Sequence, residues 1–185
     1  MKINLAISLT LSRILFIPLI IFFYLFSDGE YRNYSAYFFL LALISDYLDG
    51  VVARNLNQVT AFGEFLDPIA DKLLVVITIL LLAQSISSLY FLIPSIIIIS
   101  REFLVIAIRQ RLAEIRGKVS LRVTNISKIK ASFQMISLFF LLHHDISIDF
   151  ISLHLVGIFL LCVAAILTVI SFIYYVRNSW NDIIR

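Results

Sequence analysis

The sequence predicts an all-α membrane protein with six transmembrane helices and a short interfacial helix at its N-terminus. Three observations lead to this fold class. Of the 185 residues, 61% are hydrophobic and the mean hydropathy is +1.01, whereas soluble domains are about 45–50% apolar. Only 15% of the residues are charged, and they divide the chain into six apolar stretches. Each stretch has close to the ~20 residues that a helix needs to cross a bilayer. We expect residues 1–185 to form one membrane domain.

Short polar connections separate the predicted spans. The segment at residues 4–13 reads N-L-A-I-S-L-T-L-S-R and is amphipathic, so we expect it to lie along the membrane surface before the chain turns inward. The first 27 residues lack a small-residue cleavage site, which indicates a retained helix and not a signal peptide. The spans are expected at about residues 5–27, 34–54, 63–82, 89–111, 126–142 and 149–176.

The basic residues predict the orientation of these spans. With six spans, both termini and the second and fourth connections lie on one side of the membrane. All of the 15 lysine and arginine residues except Arg32 fall on that side. Because cytoplasmic loops carry an excess of Lys and Arg, we expect both termini to be cytoplasmic.

Two pairs of aspartates stand out near the cytoplasmic ends of the second and third spans. Asp46 and Asp49 are spaced i, i+3, and Asp67 and Asp71 are spaced i, i+4. On a helix each pair lies on one face, with about 5–6 Å between the Cβ atoms. Ionisable groups in such apolar surroundings are costly and indicate a functional site. Hard divalent cations bind carboxylate oxygens and offset their mutual repulsion, so the pattern favours a metal site.

Small residues lie between the two aspartate pairs. Gly50 and Ala53 follow the first pair directly, and Gly63 precedes Asp67 by four residues. Small side chains allow a phosphorylated ligand to approach the helix backbone, and Arg54 adds a forked donor suited to phosphate. The alternative is close packing of membrane helices, for which small residues are also used.

The complete pattern D-x2-D-G-x2-A-R-x8-G-x3-D-x3-D resembles the signature of the CDP-alcohol phosphatidyltransferases. The flanking segments at residues 57–72, 101–109 and 128–135 resemble those of bacterial members whose acceptor is glycerol 3-phosphate. The likeness runs from Thr10 to about Tyr175. The positions that match the signature are Asp46, Asp49, Gly50, Ala53, Arg54, Gly63, Asp67 and Asp71.

The resemblance implies that CDP-diacylglycerol donates its phosphatidyl group to an alcohol and that CMP leaves. It implies that the four aspartates bind two divalent ions, Mg²⁺ or Mn²⁺, and that Asp71 is also the general base. It also implies a homodimer in the bacterial inner membrane. The CDP-diacylglycerol-binding residues implied by the resemblance are Thr10, Arg13, Asp49, Gly50, Ala53, Arg54 and Gly63.

Four basic residues are candidates for binding an acceptor phosphate. Arg101, next to Glu102, lies about ten residues inside the predicted fourth span, or about 15 Å at 1.5 Å per residue. Arg109, Lys128 and Lys130 lie nearer the interface. Two alternatives stay open here. Arg101 and Glu102 can form a structural ion pair with their neighbours, and the other three cations can serve only to orient the chain.

Two further functional hypotheses remain open. Within the same reaction class, the acceptor can be inositol phosphate, serine or phosphatidylglycerol. In a different class, intramembrane aspartates bind the ion of a cation transporter. Transporter sites lie near the midplane between internal repeats, whereas this chain has no visible repeat and its aspartates lie at one interface. The partners expected are the two substrates and the lipid bilayer, with no nucleic acid.

Overall fold

The computed structural model describes residues 5–55, 61–116, 125–143, 147–148 and 151–183, with side chains placed for 11–48, 66–112, 129–143 and 152–177. Helices dominate these residues, which confirms the all-α class. A 3-10 turn, Gly29–Arg32, joins the first two helices, and Gly29 has the positive φ of 59° that glycine adopts without strain. The helices are α1 (Leu5–Phe26), α2 (Asn33–Asn55), α3 (Ala61–Ser85), α4 (Leu89–Arg116), α5 (Asn125–Leu142) and α6 (Leu153–Ile183).

Each helix coincides with a predicted span, and the differences lie at the helix ends. The α4 helix continues to Arg116 and the α6 helix to Ile183. The prediction that the sixth span begins near residue 149 was wrong by a few residues. Two short strands, β1 (Ser147–Ile148) and β2 (Ile151–Ser152), pair there in antiparallel fashion, and α6 begins only after them.

Within the described residues, the interfacial helix predicted for residues 4–13 is not separate from the first span, because Leu5–Phe26 form one uninterrupted helix. No glycine or proline precedes Pro18 in this segment, so nothing in the sequence breaks the helix before that point. Proline inside α1 is compatible with a membrane helix, where neighbouring groups satisfy the freed carbonyl.

Helices α1, α2 and α3 belong to one compact unit, which comprises Met1–Ser85 and Leu138–His154. Within it, α1 packs against both α2 and α3. Buried side chains recur every three or four positions, as expected when one face of a helix is covered. On α1 they are Arg13, Ile17, Ile20 and Tyr24; on α2 they include Phe39 and Ala42; on α3 they include Ala70, Leu74 and Thr78.

The second compact unit comprises Ile86–Ser137 and Leu155–Arg185, and thus most of α4, α5 and α6. Its helices carry several buried polar groups. Ser137 on α5 donates a 2.7 Å hydrogen bond to the carbonyl oxygen of Gly157 on α6. Buried polar groups of this kind link helices where an apolar environment gives no hydrophobic reason to associate. The buried polar residues of this unit include Ser95, Lys130, Gln134, Ser137, Thr168 and Ser171.

Large apolar side chains cover much of the outer surface. Phe26 and Tyr90 are each 75% exposed, and Leu15 and Phe159 are each 67% exposed. A soluble monomer rarely exposes such extensive apolar patches. By length and composition, the segments Leu89–Leu112 and Leu153–Arg177 are long and apolar enough to cross a membrane. These helices are those of a membrane protein; six spans remain a prediction.

Candidate active site

A buried arginine connects the two aspartate-bearing helices. Arg13, on α1, has a side chain that is 0% exposed. Its Nη2 atom lies 2.6 Å from Oδ1 of Asp46 on α2, and its Nη1 atom donates a 3.3 Å hydrogen bond to Oδ1 of Asp71 on α3. The planar guanidinium group presents its donors in a fixed fork. One side chain therefore holds carboxylates from two different helices close together.

The carboxylates around Arg13 remain open to solvent on their other sides. The side chain of Asp46 is 46% exposed and that of Asp71 is 44% exposed. Asp67 lies close enough to interact electrostatically with both of them. Next to the ion pairs, the hydroxyl oxygens of Ser12 and Ser45 lie 2.9 Å apart and link α1 to α2. The helices thus present a cluster of three carboxylates with one buried arginine beneath it.

The chemistry of this cluster suits a divalent cation. Its donors are hard carboxylate oxygens, which Mg²⁺ and similar ions prefer, and three carboxylates outweigh the single charge of Arg13. Among the side chains that the structure places, no group of three potential ligands is close enough to hold one ion. Asp49, the fourth predicted ligand, lies in the described helix α2, but its side chain is outside the placed ranges.

A second charged cluster lies in the other unit. Lys130 on α5 is 4% exposed, and its Nζ atom lies 2.8 Å from Oε1 of Glu102 on α4. Arg101 Nη1 lies 3.0 Å from the same oxygen, and Arg101 Nη2 donates a 3.4 Å hydrogen bond to Oγ of Ser171 on α6. The structure therefore brings together two of the predicted acceptor residues, and it also contains the Arg101–Glu102 pair that sequence analysis left open.

Arg109 lies two turns beyond Arg101 on α4, and its side chain is exposed. It interacts electrostatically with the hydroxyl group of Tyr175 on α6, as does Arg101. The remaining predicted site residues lie where side chains are not placed, namely Thr10, Asp49, Gly50, Ala53, Arg54, Gly63 and Lys128.

Two features of these clusters were missed by sequence analysis. Arg13 was assigned only to the nucleotide, although in the structure it contacts two aspartates. Glu102 was noted only as the neighbour of Arg101, although it contacts Lys130, 28 positions along the chain. The sequence offered one indication of these contacts. An Arg or Lys within an apolar segment needs an anionic partner when it is buried, so each predicted a nearby carboxylate.

Comparison with known proteins identifies the class to which this fold and site belong. The family model described as CDP-alcohol phosphatidyltransferase matches residues 3–174. The chain belongs to this family and is an enzyme, which removes the transporter alternative. Divalent metal ions are generally used in the family.

Curated relatives match the chain over nearly its whole length. The chain is 41% identical to a protein of Wigglesworthia glossinidia brevipalpis, with 100% of both chains covered. It is 35% identical to a protein of Salmonella choleraesuis, covering 100% of this chain and 99% of the relative. It is 41% identical to one of Rickettsia felis, covering 91% of each. All three bear the name CDP-diacylglycerol–glycerol-3-phosphate 3-phosphatidyltransferase.

Proposed function

We propose that this chain transfers the phosphatidyl group of CDP-diacylglycerol to glycerol 3-phosphate in phosphatidylglycerol and cardiolipin synthesis. The products are phosphatidylglycerophosphate and CMP. The names of the full-length relatives support this acceptor. The observation that carries the reaction class is the contact of Arg13 with both Asp46 and Asp71. Through this contact, the first and last aspartates of the family signature lie next to the same guanidinium group.

In this reaction a hydroxyl oxygen of the acceptor attacks the phosphorus that is linked to diacylglycerol. The bond from that phosphorus to the oxygen of CMP breaks, and CMP carries the electron pair away. Asp71 takes the proton of the attacking hydroxyl as general base. Because Arg13 contacts Oδ1 of Asp71, we assign proton transfer to the other carboxylate oxygen, Oδ2. Arg13 keeps this carboxylate oriented while Oδ2 accepts the proton.

Asp46, Asp49, Asp67 and Asp71 are the residues that would hold two divalent ions, Mg²⁺ or Mn²⁺. Bound ions of this kind supply positive charge against the phosphate oxygens of the substrate. Four carboxylates carry −4 and two divalent ions +4, so the charges balance. Arg13 adds one further positive charge, which favours an anionic substrate at this end of α1–α3.

The signature residues between the aspartate pairs bind the cytidine diphosphate part of the donor lipid. Gly50, Ala53 and Gly63 leave room for it beside the helix backbones, and Arg54 provides donors for phosphate. We include Thr10, Asp49 and Arg13 in this substrate site. For Arg13 the role is indirect, because its terminal nitrogens contact the carboxylates.

Arg101, Arg109, Lys128 and Lys130 bind the phosphate of the acceptor. Arg101 and Lys130 are held on one carboxylate oxygen. Arg109 is exposed and therefore accessible to a soluble anion. A phosphate monoester accepts charge-assisted hydrogen bonds from such groups, each worth more than a neutral hydrogen bond.

The architecture that we propose is a single membrane domain, residues 1–185, with six spans. Both termini and the active site lie on the cytoplasmic side of a bacterial inner membrane, and the enzyme is a homodimer. The apolar outer surface of the helices supports the membrane location. The cytoplasmic orientation rests on the distribution of basic residues, and the nucleotide lipid would meet the site from that side.

An acceptor panel tests the proposed function. Protein purified in detergent is given CDP-diacylglycerol, Mg²⁺ and one acceptor at a time, and CMP release is measured. We expect glycerol 3-phosphate to support turnover, and serine, inositol phosphate and phosphatidylglycerol to give only background. A variant with Asp71→Asn serves as the inactive control. Preferred use of another acceptor would contradict the assignment while leaving the reaction class intact.

A further inference from the structure

The carboxylate of Glu102 is the common partner of two cations, the buried Lys130 and the largely covered Arg101. Its Oε1 atom lies 2.8 Å from Lys130 Nζ and 3.0 Å from Arg101 Nη1. The side chains are 17% exposed for Glu102, 5% for Lys130 and 12% for Arg101. One oxygen of one side chain therefore joins α4 to α5 and holds two positive charges side by side.

The contact with Glu102 stabilises the charged form of Lys130. A buried ammonium group without an anionic partner tends to lose its proton, because the charged form is poorly solvated. The cluster lies among buried apolar side chains of α4, with Ile98 and Val105 on the flanking turns. Removing Glu102 would leave Lys130 beside the like charge of Arg101. Without this counter-charge the ammonium group is less well stabilised in its charged form and in its observed position, and a neutral or displaced amine is a poor ligand for phosphate.

The same cluster has hydrogen-bonding capacity that its own side chains leave unused. Within the described part of the chain, the buried Nε of Arg101 and the buried Oγ1 of Thr168 have no hydrogen-bond partner. Thr168 lies on α6 beside Ser171, whose hydroxyl donates a 3.0 Å hydrogen bond to the Thr168 carbonyl oxygen. Buried polar atoms are usually satisfied, so the unused Nε of Arg101, which belongs to one of the two cations, indicates a site for an additional polar ligand.

We propose that Glu102 is a positioning residue for the acceptor: it keeps Lys130 charged and holds it beside Arg101, so that the pair can bind a phosphate monoester. This inference rests on the proposed function, in which Lys130 and Arg101 contact the acceptor phosphate. Glu102 itself does not contact the substrate. Its negative charge reduces the total of the three groups to +1, but its contact with Lys130 outweighs its repulsion of the phosphate.

The test compares Glu102→Gln, Lys130→Met and the double variant with the wild type. The KM for glycerol 3-phosphate, the KM for CDP-diacylglycerol and kcat are measured in detergent. We expect each single variant to raise the KM for glycerol 3-phosphate about tenfold or more, as for one lost charge-assisted contact. The KM for CDP-diacylglycerol should change by less than about twofold. Glu102 also contacts Arg101, but the proposal assigns its effect to Lys130, so its loss should add nothing in the Lys130→Met background.

Four other outcomes would contradict either the role of Glu102 or the acceptor site itself. A lower KM for glycerol 3-phosphate in Glu102→Gln would show that Glu102 repels the acceptor, and overturn the inference. An effect of Glu102→Gln that persists in the Lys130→Met background would also overturn it. If Lys130→Met leaves the KM unchanged, the proposed acceptor site itself is wrong. A change confined to Lys130→Met leaves the acceptor site standing and removes the role of Glu102.

A conservative variant keeps the test informative if Glu102→Gln does not fold. Glu102→Asp retains the charge but withdraws the oxygen by one methylene, so we expect a smaller rise in the KM for glycerol 3-phosphate. A wild-type KM in this variant would contradict the need for the observed geometry. Thermal stabilisation of the detergent-solubilised protein by glycerol 3-phosphate alone gives a readout without catalysis. This stabilisation should be smaller in Glu102→Asp than in the wild type, and smaller still in Glu102→Gln. Glu30→Gln, at an exposed glutamate in the first connection, is the matched control.

Discussion

Arg13 Nη2 lies 2.6 Å from Oδ1 of Asp46, and the arginine is completely buried while the aspartate is 46% exposed. Because the two side chains differ in exposure, we assign them different roles. The buried cation is held in place by the packing of α1 against α2 and α3, and it can position the carboxylate. The exposed half of the aspartate faces outward, where a metal ion and a substrate can reach it. Arg13 contacts Asp71 in the same manner, so it sets the positions of both carboxylates.

We expect Arg13→Gln to destabilise the protein by about 1–3 kcal/mol. Breaking fully buried ion pairs costs about 3–5 kcal/mol, and solvent screening of the half-exposed carboxylates reduces this figure. Melting in detergent measures the loss. Added Mg²⁺ should raise the melting temperature of this variant more than that of the wild type, because the carboxylates have lost a cation. The stability of Arg13→Lys should be intermediate, since an ammonium group keeps the charge but lacks the forked donors with which the guanidinium group contacts both carboxylates.

The exposed Arg177 provides the control for this experiment, and Arg177→Gln should melt like the wild type. An unchanged melting temperature in Arg13→Gln would mean that the two ion pairs do not stabilise the packing of α1 with α2 and α3.

Removal of divalent metal should abolish activity. Three described carboxylates and Asp49 carry more negative charge than Arg13 offsets, and the substrate adds the charge of a pyrophosphate. Without a metal ion, the site would repel that group. We expect CMP release to stop in excess EDTA and to return when Mg²⁺ or Mn²⁺ is added beyond the chelator. Full turnover in excess EDTA would exclude a metal-dependent mechanism.

Asp71→Asn and Asp49→Asn should separate proton transfer from ligand binding. Asp71→Asn keeps the shape of the side chain but cannot accept the proton, so turnover should fall by about 10²–10⁴-fold. Its affinity for CDP-diacylglycerol should change far less, because Asp46, Asp49 and Asp67 remain. Asp49→Asn should weaken metal binding and nucleotide-lipid binding together. The measurement is CDP-diacylglycerol affinity at saturating metal, alongside turnover.

Asp28→Asn, at an exposed aspartate in the first connection, is the control and should be neutral. Equal losses of lipid affinity in Asp71→Asn and Asp49→Asn would make Asp71 chiefly a metal ligand, and the proton would require another acceptor.

Cysteine labelling in intact cells tests the predicted orientation. The chain has one cysteine, Cys162, so a Cys162→Ser background permits single introduced thiols. We expect Asn181→Cys, near the C-terminus, to react with a membrane-impermeant reagent only after the cells are permeabilised. Glu30→Cys, in the connection that precedes α2, should react in intact cells and serves as the positive control. Labelling of Asn181→Cys in intact cells would place the C-terminus outside.

The helices could be predicted from the sequence because their determinants are local. Apolar runs of sufficient length, bounded by charges or turn residues, determine where α1 to α6 lie, with ends that differ from the prediction by up to seven residues. The errors arose at helix ends. There, the pairing of Ser147–Ile148 with Ile151–Ser152 delayed the start of α6, and residues 5–13 of the amphipathic segment form the first part of α1 without a break. Local composition does not decide whether such a segment ends or continues.

The reaction class was also determined by the sequence alone, and the aspartates that we propose as the active site were selected from the sequence alone, since the eight signature positions lie within one stretch of 26 residues, Asp46 to Asp71. The partners of the buried cations were decided only by the tertiary structure. Arg13 reaches Asp71 across 58 positions, and Lys130 reaches Glu102 across 28. Such pairs form because helix packing removes the cations from water and leaves a carboxylate on a neighbouring helix as their counter-charge. That requirement acts through space, so no local pattern in the sequence specifies which carboxylate meets it.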